Sequence, residues 1–322
     1  AYLLNLYNKR KRGLWENIRI RSRRLRKDPV LHIIVNLLKI AVPISIGALV
    51  LTAANVIDLG TIMTQLQIAG FSKISAVKLY GIYTGKCYVL THFPVSVNMA
   101  LATSLVPAIA SALAVKNYKE ASDKITASMR LTVLIGLPSS MGLYILAQPI
   151  LKLLFPASSE GASLLALSSF TIIFIGMTQT LAGVLQGMGK AYVPAVALIV
   201  GAFAKLVINQ TLIKIPSINI KGAVYGTLAC YIIALAICFA SVLKNFKLNF
   251  NFSNLIIKPI AATAVMGFAT HYSYAWIYRV SSSNFAAVMT SILISVLVFG
   301  LVLLVTGAVS RQDISALPFG KN

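Results

Sequence analysis

Eight long apolar segments, separated by short polar stretches, dominate the sequence. Each is close to the ~20 residues that an α-helix needs to cross a bilayer. The pattern predicts an all-α, polytopic membrane protein with about eight transmembrane helices. The segments cover approximately residues 31–57, 86–113, 126–148, 162–186, 192–213, 222–243, 254–275 and 285–308.

Composition supports lipid as the solvent of this chain. Hydrophobic residues make up 58% and charged residues 11%, whereas a soluble domain carries about 25% charged residues. The mean hydropathy is +0.83. The formal net charge of +22 does not indicate nucleic acid as a partner, because the basic residues lie mainly in short loops and one terminal run between apolar segments.

The segment 86–113 is more polar than a purely structural membrane helix needs to be. At about 100° per residue, one arc of roughly 120° holds most of its polar side chains. The opposite arc is mainly apolar, with Asn98 as the exception. We therefore expect this segment to line a polar passage. The residues of the polar arc are Lys86, His92, Ser96, Thr103, Ser104, Pro107 and Ser111.

Two ionisable residues are predicted near membrane depth, where such residues commonly serve function. Asp58 is the one acid of seven in or beside a span, and the alternative is a carboxylate in the headgroup zone. Residues 58–85 either continue the helix or form the outer loop. Lys205 is mid-span on a face with Asn209. Facing lipid it would cost about 2.5–3.5 kcal/mol, so we expect a wet cavity or a structural pair with a carbonyl or aspartate.

Several spans contain residues that commonly bend membrane helices. We expect a kink near Pro138 and Gly142 and a bending role for five of the prolines inside the predicted spans. These are Pro43, Pro94, Pro107, Pro138 and Pro194.

Topology depends mainly on residues 9–27, which hold ten Lys or Arg. This run is either an amphipathic helix on the anionic leaflet or a solvated basic linker. In both cases the positive-inside rule predicts that residues 1–30 are cytoplasmic, and alternation of the spans places the carboxyl terminus there too. The chain opens with AYLLNLY, which indicates the end of a helix that begins upstream, so we expect a fragment.

The sequence offers little catalytic or redox chemistry. P-loop, GxSxG, HExxH and CxxC patterns are absent, and GMGK at 187–190 is predicted to be a short turn. Cys230 and Cys238 would lie about 12 Å apart along one helix, too far to bridge, and all three cysteines are expected to be free. We expect no enzyme activity, no metal site and no cofactor. Coupling to the membrane potential, H⁺ or Na⁺ stays open.

Three stretches carry a resemblance to a known family. They are NMALATSLVPAIASALAVKNY (98–118), ANVIDLGTIMTQLQIAG (54–70) and LQGMGKAYVPAVALIVGAFAKLVINQTLI (185–213), the last followed by NIKGAVYGT (219–227). The chain resembles the multidrug/oligosaccharidyl-lipid/polysaccharide exporter superfamily, in its branch of stage V sporulation protein B and lipid II flippase-like proteins.

The resemblance implies two pseudo-symmetric helical lobes around a central cavity that works by alternating access. This chain would then hold a basic connecting segment (1–30), the six-helix carboxyl-terminal transport lobe (31–243), and two accessory helices with a cytoplasmic tail (244–322). The amino-terminal lobe of the same protein would be a missing partner. Membrane lipids would surround the protein, in a bacterial cell membrane.

The leading hypothesis is therefore a flippase for a lipid-linked saccharide pyrophosphate. Lys86 and Lys205 are the candidates for binding the anion, with Asp58 as an ion-coupling or counter-charge residue. We expect His92, Asn98 and Asn209 to contribute to the cavity as well. The alternatives are a cation-coupled multidrug exporter of the same superfamily, which would favour acidic cavity residues, and a non-transporting scaffold in cell-envelope synthesis.

Overall fold

A computed structural model of the protein describes residues 30–246 and 253–307. The chain divides into two units, residues 1–42 and 43–322. In the first unit, the described residues 30–42 are helical. The predicted basic segment at 9–27 and the tail after residue 307 lie outside the described residues. The proposed division of the chain at residues 30 and 243 stays a prediction.

The described residues form helices joined by short connections. We number them α1 to α11 in chain order, and two π-helical turns, Tyr83–Cys87 and Ser253–Ile257, precede α3 and α10. The helices are α1 (Val30–Ile68), α2 (Lys73–Ile82), α3 (Tyr88–Ala114), α4 (Tyr118–Ile145), α5 (Ala147–Leu154), α6 (Ala162–Ser169), α7 (Thr171–Gly187), α8 (Tyr192–Leu212), α9 (Lys221–Asn245), α10 (Lys258–Ser281) and α11 (Asn284–Val305).

Most of these helices coincide with the predicted spans, which confirms the all-α membrane fold. Among the described residues, six helical stretches are long and apolar enough to cross a membrane, and the bent pair α4 and α5 makes a seventh. The first predicted span, 31–57, lies inside the longer helix α1. The helix continues through Asp58 to Ile68, so the alternative of an outer loop beginning at residue 58 is wrong.

The sharp bend of the third span differs in position from the predicted kink. Helix α4 runs unbroken through Pro138 and Gly142. The chain then bends by 75° between α4 and α5, at Leu146. Pro138 is therefore accommodated inside a continuous helix, and the change of direction follows the end of that helix.

Small residues allow the helices of the second unit to approach closely, as is common in membrane proteins. Helix α7 packs against α3, and α8 packs against α9. A Cβ atom at Gly183 would lie 2.3 Å from the carbonyl oxygen of Ala102. A Cβ atom at Gly201 would lie 2.5 Å from the carbonyl oxygen of Cys230. Only glycine fits at these two crossings.

Two separate apolar clusters hold the helices together. One contains Leu105, Ile109, Ile125, Leu181, Leu185, Ala197, Ala234 and Cys238. The other contains Ile62, Leu66, Cys87, Leu151, Leu165, Ile213, Ala223 and Val224. Along α3, α8 and α9, the clusters occupy opposite halves of the helix, and a stretch of polar side chains separates them. That polar middle part is where the candidate site lies.

Candidate functional site

A cavity of about 490 Å³ lies between the two apolar clusters, near the middle of the spans. Such a volume is in the usual range for small-molecule sites. Hydroxyl and aromatic side chains dominate its wall. The lining residues are Asp58, Tyr80, Tyr83, Thr84, Tyr88, Thr91, His92, Ser168, Thr171, Ile175, Gln179, Ala202, Lys205, Val224, Thr227, Cys230 and Tyr231.

The charged centre of the cavity is an ion pair between Asp58 on α1 and Lys205 on α8. The Lys205 ammonium donates to Oδ2 of Asp58, and the two side chains are only 13% and 12% exposed. Asn209, one turn further along α8, donates from Nδ2 to Oδ1 of Asp58 over 3.0 Å. Both carboxylate oxygens are therefore occupied, and the pair is electrically neutral.

This pair combines two alternatives that the sequence left open for Lys205. The side chain lines a cavity, and it also forms a structural pair with an aspartate. Asn209 contacts the pair from outside the cavity. Its side chain is fully buried and does not line the cavity. Its Oδ1 atom has no hydrogen-bond partner among the described residues. The predicted cavity role of Asn209 thus becomes that of a positioning residue for Asp58.

Hydroxyl groups form much of the remaining wall. The hydroxyls of Tyr83 and Thr227 are 3.1 Å apart, which links the π-helical turn to α9. Within the described part of the chain, Ser168 Oγ and Gln179 Oε1 are buried without a hydrogen-bond partner. Buried polar atoms normally have a partner. Both residues line the cavity, but the two atoms themselves are buried, so a ligand or water reaches them only when the side chains rotate.

His92 lies on the cavity wall. Its ring stacks on that of Tyr88, with the centroids 3.7 Å apart, and its Nδ1 atom lies 3.0 Å from the Tyr88 carbonyl oxygen. The Nδ1 atom is thus the donor, and Nε2 of a neutral ring is an acceptor. The stacking fixes the orientation of the imidazole.

Lys86 lies outside the cavity lining. Its ammonium donates to the carbonyl oxygen of Ser158 and to the Ser158 hydroxyl over 3.2 Å. It also lies 5.1 Å from the centre of the Phe155 ring, within the range of a cation–π contact. In this structure Lys86 anchors the loop after α5, and the anion-binding role predicted for it has no geometric support.

Asn98 likewise lies away from the cavity wall, in a buried polar network between three helices. Its Nδ2 atom donates to the Gly176 carbonyl oxygen over 2.8 Å, and its Oδ1 atom accepts from Thr132 over 2.8 Å. The hydroxyls of Thr132 and Thr180 are 2.6 Å apart. These contacts join α3, α4 and α7, so the structure assigns Asn98 a packing role.

The predicted polar face of α3 is exposed over much of its length. Ser96, Thr103, Ser104 and Ser111 are exposed, and each hydroxyl donates to a carbonyl oxygen of the preceding turn. No helix of the described residues covers this face. The predicted role of this face as the wall of a passage stays a prediction.

The prolines differ in their positions. Pro94 and Pro107 lie inside α3, and Pro138 lies inside α4. Helix α1 includes position 43. Pro194 is in the first turn of α8, where a missing N–H removes no helical hydrogen bond. Bending at these residues stays a prediction, and Pro194 is the least suited to it.

Sequence patterns missed most of the cavity wall. Tyr80, Tyr83, Tyr231, Thr227 and Gln179 were not candidates, because tyrosine and threonine are common in membrane helices and carry no charge. One signal was present, since Tyr80 and Tyr83 are three residues apart and so share a helix face. The π-helical turn that follows is of a kind found frequently at functional sites.

The sequence of this chain is similar to those of known membrane proteins. The family model of the lipid II flippase MurJ matches residues 4–298. In Bacillus subtilis, the chain is 28% identical over 290 residues to the uncharacterized membrane protein YabM, covering 88% of this chain and 53% of that protein. It is 27% identical over 236 residues to the lipid II flippase MurJ, covering 71% and 42%. For stage V sporulation protein B the identity is 23% over 254 residues, covering 79% and 48%.

Solved structures share the fold at low sequence identity. An outward-facing multidrug resistance MATE family transporter of the MOP superfamily gives a TM-score of 0.54 at 14% identity, covering 88% of this chain and 74% of that one. A MOP superfamily transporter from Pyrococcus furiosus, for which the reverse polarity of the binding pocket suggests a different function, gives 0.52 at 16% identity, covering 85% and 64%. The chain spans about half the length of the curated relatives it matches. Because the family model covers most of it, the chain belongs to the lipid II flippase MurJ family.

Proposed function

We propose that this chain forms part of a flippase that moves a lipid-linked saccharide pyrophosphate across the bacterial cytoplasmic membrane by alternating access. The observation that carries the proposal is the mid-span cavity, whose wall combines a buried ion pair with hydroxyls and tyrosine rings. Family membership supports the same conclusion. The chain is shorter than its relatives, so the activity is proposed for the complete protein.

The cavity wall suits a saccharide headgroup. Ser168 and Gln179 offer buried polar atoms without a partner, and sugar hydroxyls both donate and accept hydrogen bonds. Tyr83 and Tyr231 line the same cavity. Specific ligand sites typically combine aromatic walls with a few convergent polar groups. We propose that the saccharide part of the substrate binds here.

The diphosphate part of the substrate needs a cation to bind it. Lys205 can serve as that cation only if the diphosphate replaces Asp58 as its partner. Lys205 binds Asp58 in this structure, so a phosphate must compete with the carboxylate for the ammonium. We propose that Lys205 makes this exchange and that H⁺ or Na⁺, or the membrane potential, compensates the charge left on Asp58. Cations of the amino-terminal lobe, which the relatives' greater length leaves room for, would complete the anion site.

Orientation is part of the proposal. Residues 1–30 and the tail after residue 308 are proposed to be cytoplasmic on the basis of their positive charge. The exposed polar face of α3 would then meet the amino-terminal lobe of the complete protein across the passage. Lipid-linked oligosaccharide and the surrounding membrane lipids would be the ligands of the assembly.

A protection experiment tests where the substrate binds. Ala202 lines the cavity, whereas its neighbour Phe203 is 70% exposed on the outer surface. In the complete protein with its native cysteines replaced by alanine or serine, A202C should react with a small water-soluble thiol reagent, and F203C, facing lipid, should react slowly. Lipid II should slow the labelling of A202C, whereas a cationic drug should not.

The result separates the competing functions. Protection of A202C by the cationic drug and not by lipid II would favour a multidrug exporter and contradict the proposal. Equal labelling with and without either compound would mean that the cavity binds neither, as expected of a scaffold. A phospholipid without a saccharide headgroup serves as the control for non-specific protection by added lipid.

A further inference from the structure

A second concave surface lies on the lobe, separate from the cavity. It is an open groove of about 600 Å³ between the end of α4, the start of α5, helix α6, the start of α9 and helix α10. None of its lining residues lines the cavity. The groove is lined by Tyr144, Ile145, Ala147, Gln148, Ala162, Ser163, Ala166, Leu167, Phe170, Lys221, Tyr225 and His271.

The polar groups of this groove carry positive charge or donate hydrogen bonds, and no acidic residue lines it. Lys221 and Gln148 have no side-chain partner among the described residues. His271 makes only an edge contact with the ring of Tyr272 there, with centroids 5.7 Å apart. An imidazole donates at least one hydrogen bond in either protonation state. The groove therefore presents one permanent cation and two further donors to a ligand.

Apolar and aromatic side chains make up most of the remaining wall of the groove. Tyr144 and Phe170 pack against each other with ring centroids 5.4 Å apart, and Leu167 and Ala166 extend the wall along α6. Tyr225 flanks Lys221 from one turn further along α9. A soluble ion would leave this wall uncovered, whereas the first methylenes of an acyl chain would bury it.

The position of the groove along the helices corresponds to the headgroup region of a bilayer. Lys221 begins α9, Gln148 lies in the first turn of α5, and Ala162 begins α6, so helix ends surround it. On the adjoining helix α10, Tyr272 and Trp276 are each 69% exposed. Exposed tyrosine and tryptophan mark the headgroup level of a bilayer.

We propose that this groove binds the headgroup of an anionic phospholipid. The phosphate accepts hydrogen bonds from Lys221, Gln148 and His271, and the upper acyl chain covers the wall of Tyr144, Phe170 and Leu167. The occupant is a membrane lipid and not a soluble phosphate, because only a lipid uses both the donors and the apolar wall. The site is peripheral to the cavity and does not depend on the function proposed for it.

Native mass spectrometry tests this site directly. The protein in detergent is offered equal amounts of dioleoylphosphatidylglycerol and dioleoylphosphatidylcholine, and retained lipids are counted. We expect the wild type to retain the anionic lipid preferentially. K221Q should weaken its retention about fivefold, the effect of one cation near a membrane surface. K221R, which keeps the charge, should retain the wild-type preference.

A matched control uses the neighbouring lysine. Lys214 is exposed, lies seven residues before Lys221 and does not line the groove. K214Q should therefore behave as the wild type. The proposal is overturned if K221Q and K214Q retain the lipids equally, or if the wild type shows no preference. Soluble glycerol 3-phosphate should not displace the lipid, and displacement at equal concentration would contradict binding of a lipid as such. Each variant is compared only after gel filtration shows a monodisperse protein, and K221R covers the case in which K221Q does not fold.

Discussion

The buried pair of Asp58 and Lys205 permits a quantitative test of the site. Replacing Lys205 by methionine removes the ammonium and keeps the length of the side chain. Asp58 would then retain one hydrogen bond, from Asn209 over 3.0 Å, and an uncompensated charge at a position that is 12% exposed. Leaving a buried charge without its partner costs about 3–5 kcal/mol.

The double variant D58N/K205M removes both charges and should recover most of this loss. Replacing a buried ion pair by uncharged groups of similar size is often close to neutral. An amide at position 58 still accepts a hydrogen bond from Asn209. We therefore expect K205M to be the least stable, D58N to be intermediate because its amide oxygen still accepts from the Lys205 ammonium, and the double variant to approach the wild type.

Thermal unfolding with a thiol-reactive dye measures this series. Cys87, Cys230 and Cys238 are free and buried, as the sequence predicted. Cys87 and Cys238 do not line the cavity, so they react only as the protein unfolds, and Cys230, which does line it, is replaced by alanine for this assay. At roughly 2 °C per kcal/mol for a large domain, K205M should lower Tm by roughly 6–10 °C. A shift of less than about 2 °C for K205M, or a double variant less stable than both single variants, would refute the ion pair as described.

Three further predictions concern the helix packing and the loop after α5. G183A should destabilise the protein, because its Cβ atom would lie 2.3 Å from a carbonyl oxygen of α3. G142A, with nothing within 4 Å of its Cβ atom, should change the free energy of unfolding by no more than about 1 kcal/mol. Measuring Tm of the two variants checks this difference. N98A should cost about 1–2 kcal/mol, in the range of hydrogen bonds between membrane helices, without weakening protection of the cavity by substrate. The hydrogen bond and charge of Lys78 lower the pKa of Glu160 below its usual 4.5, so the contact stabilises the protein above that pH and is lost as the pH falls through the lowered pKa. E160Q should therefore lower Tm at pH 7 by an amount that shrinks as the pH is taken below 4.5, and an effect independent of pH would contradict it.

The fold followed from the sequence because hydropathy alone determines where membrane helices lie. The predicted segments 192–213 and 222–243 agree with α8 and α9 to within two residues. How far a helix continues beyond its apolar segment was less predictable. Helix α1 extends to Ile68, since polar residues at a membrane edge neither stop a helix nor require it to continue.

The members of the site were partly predictable, and their contacts were not. Asp58 and Lys205 were identified because an ionisable residue inside a span is costly. Their pairing depends on how helices that are 147 residues apart in sequence pack together, which no local pattern encodes.

Lys86 shows why a helical projection failed. The projection assumed 100° per residue from Lys86 onward, but Lys86 lies in the π-helical turn Tyr83–Cys87. A π-turn contains more residues per turn than an α-helix and so changes the rotational phase of the residues before α3. Lys86 consequently points towards Ser158, whereas His92, beyond the turn, reaches the cavity.

Translocation by the complete protein tests the central claim most directly. The assay follows the appearance of lipid II at the outer leaflet of cells depleted of their own flippase, complemented with the complete gene as wild type or as D58N/K205M. We predict that the wild type restores lipid II exposure and that the double variant, although folded and stable, does not. Full exposure with the double variant, or none with a wild-type protein present in the membrane, would contradict the account.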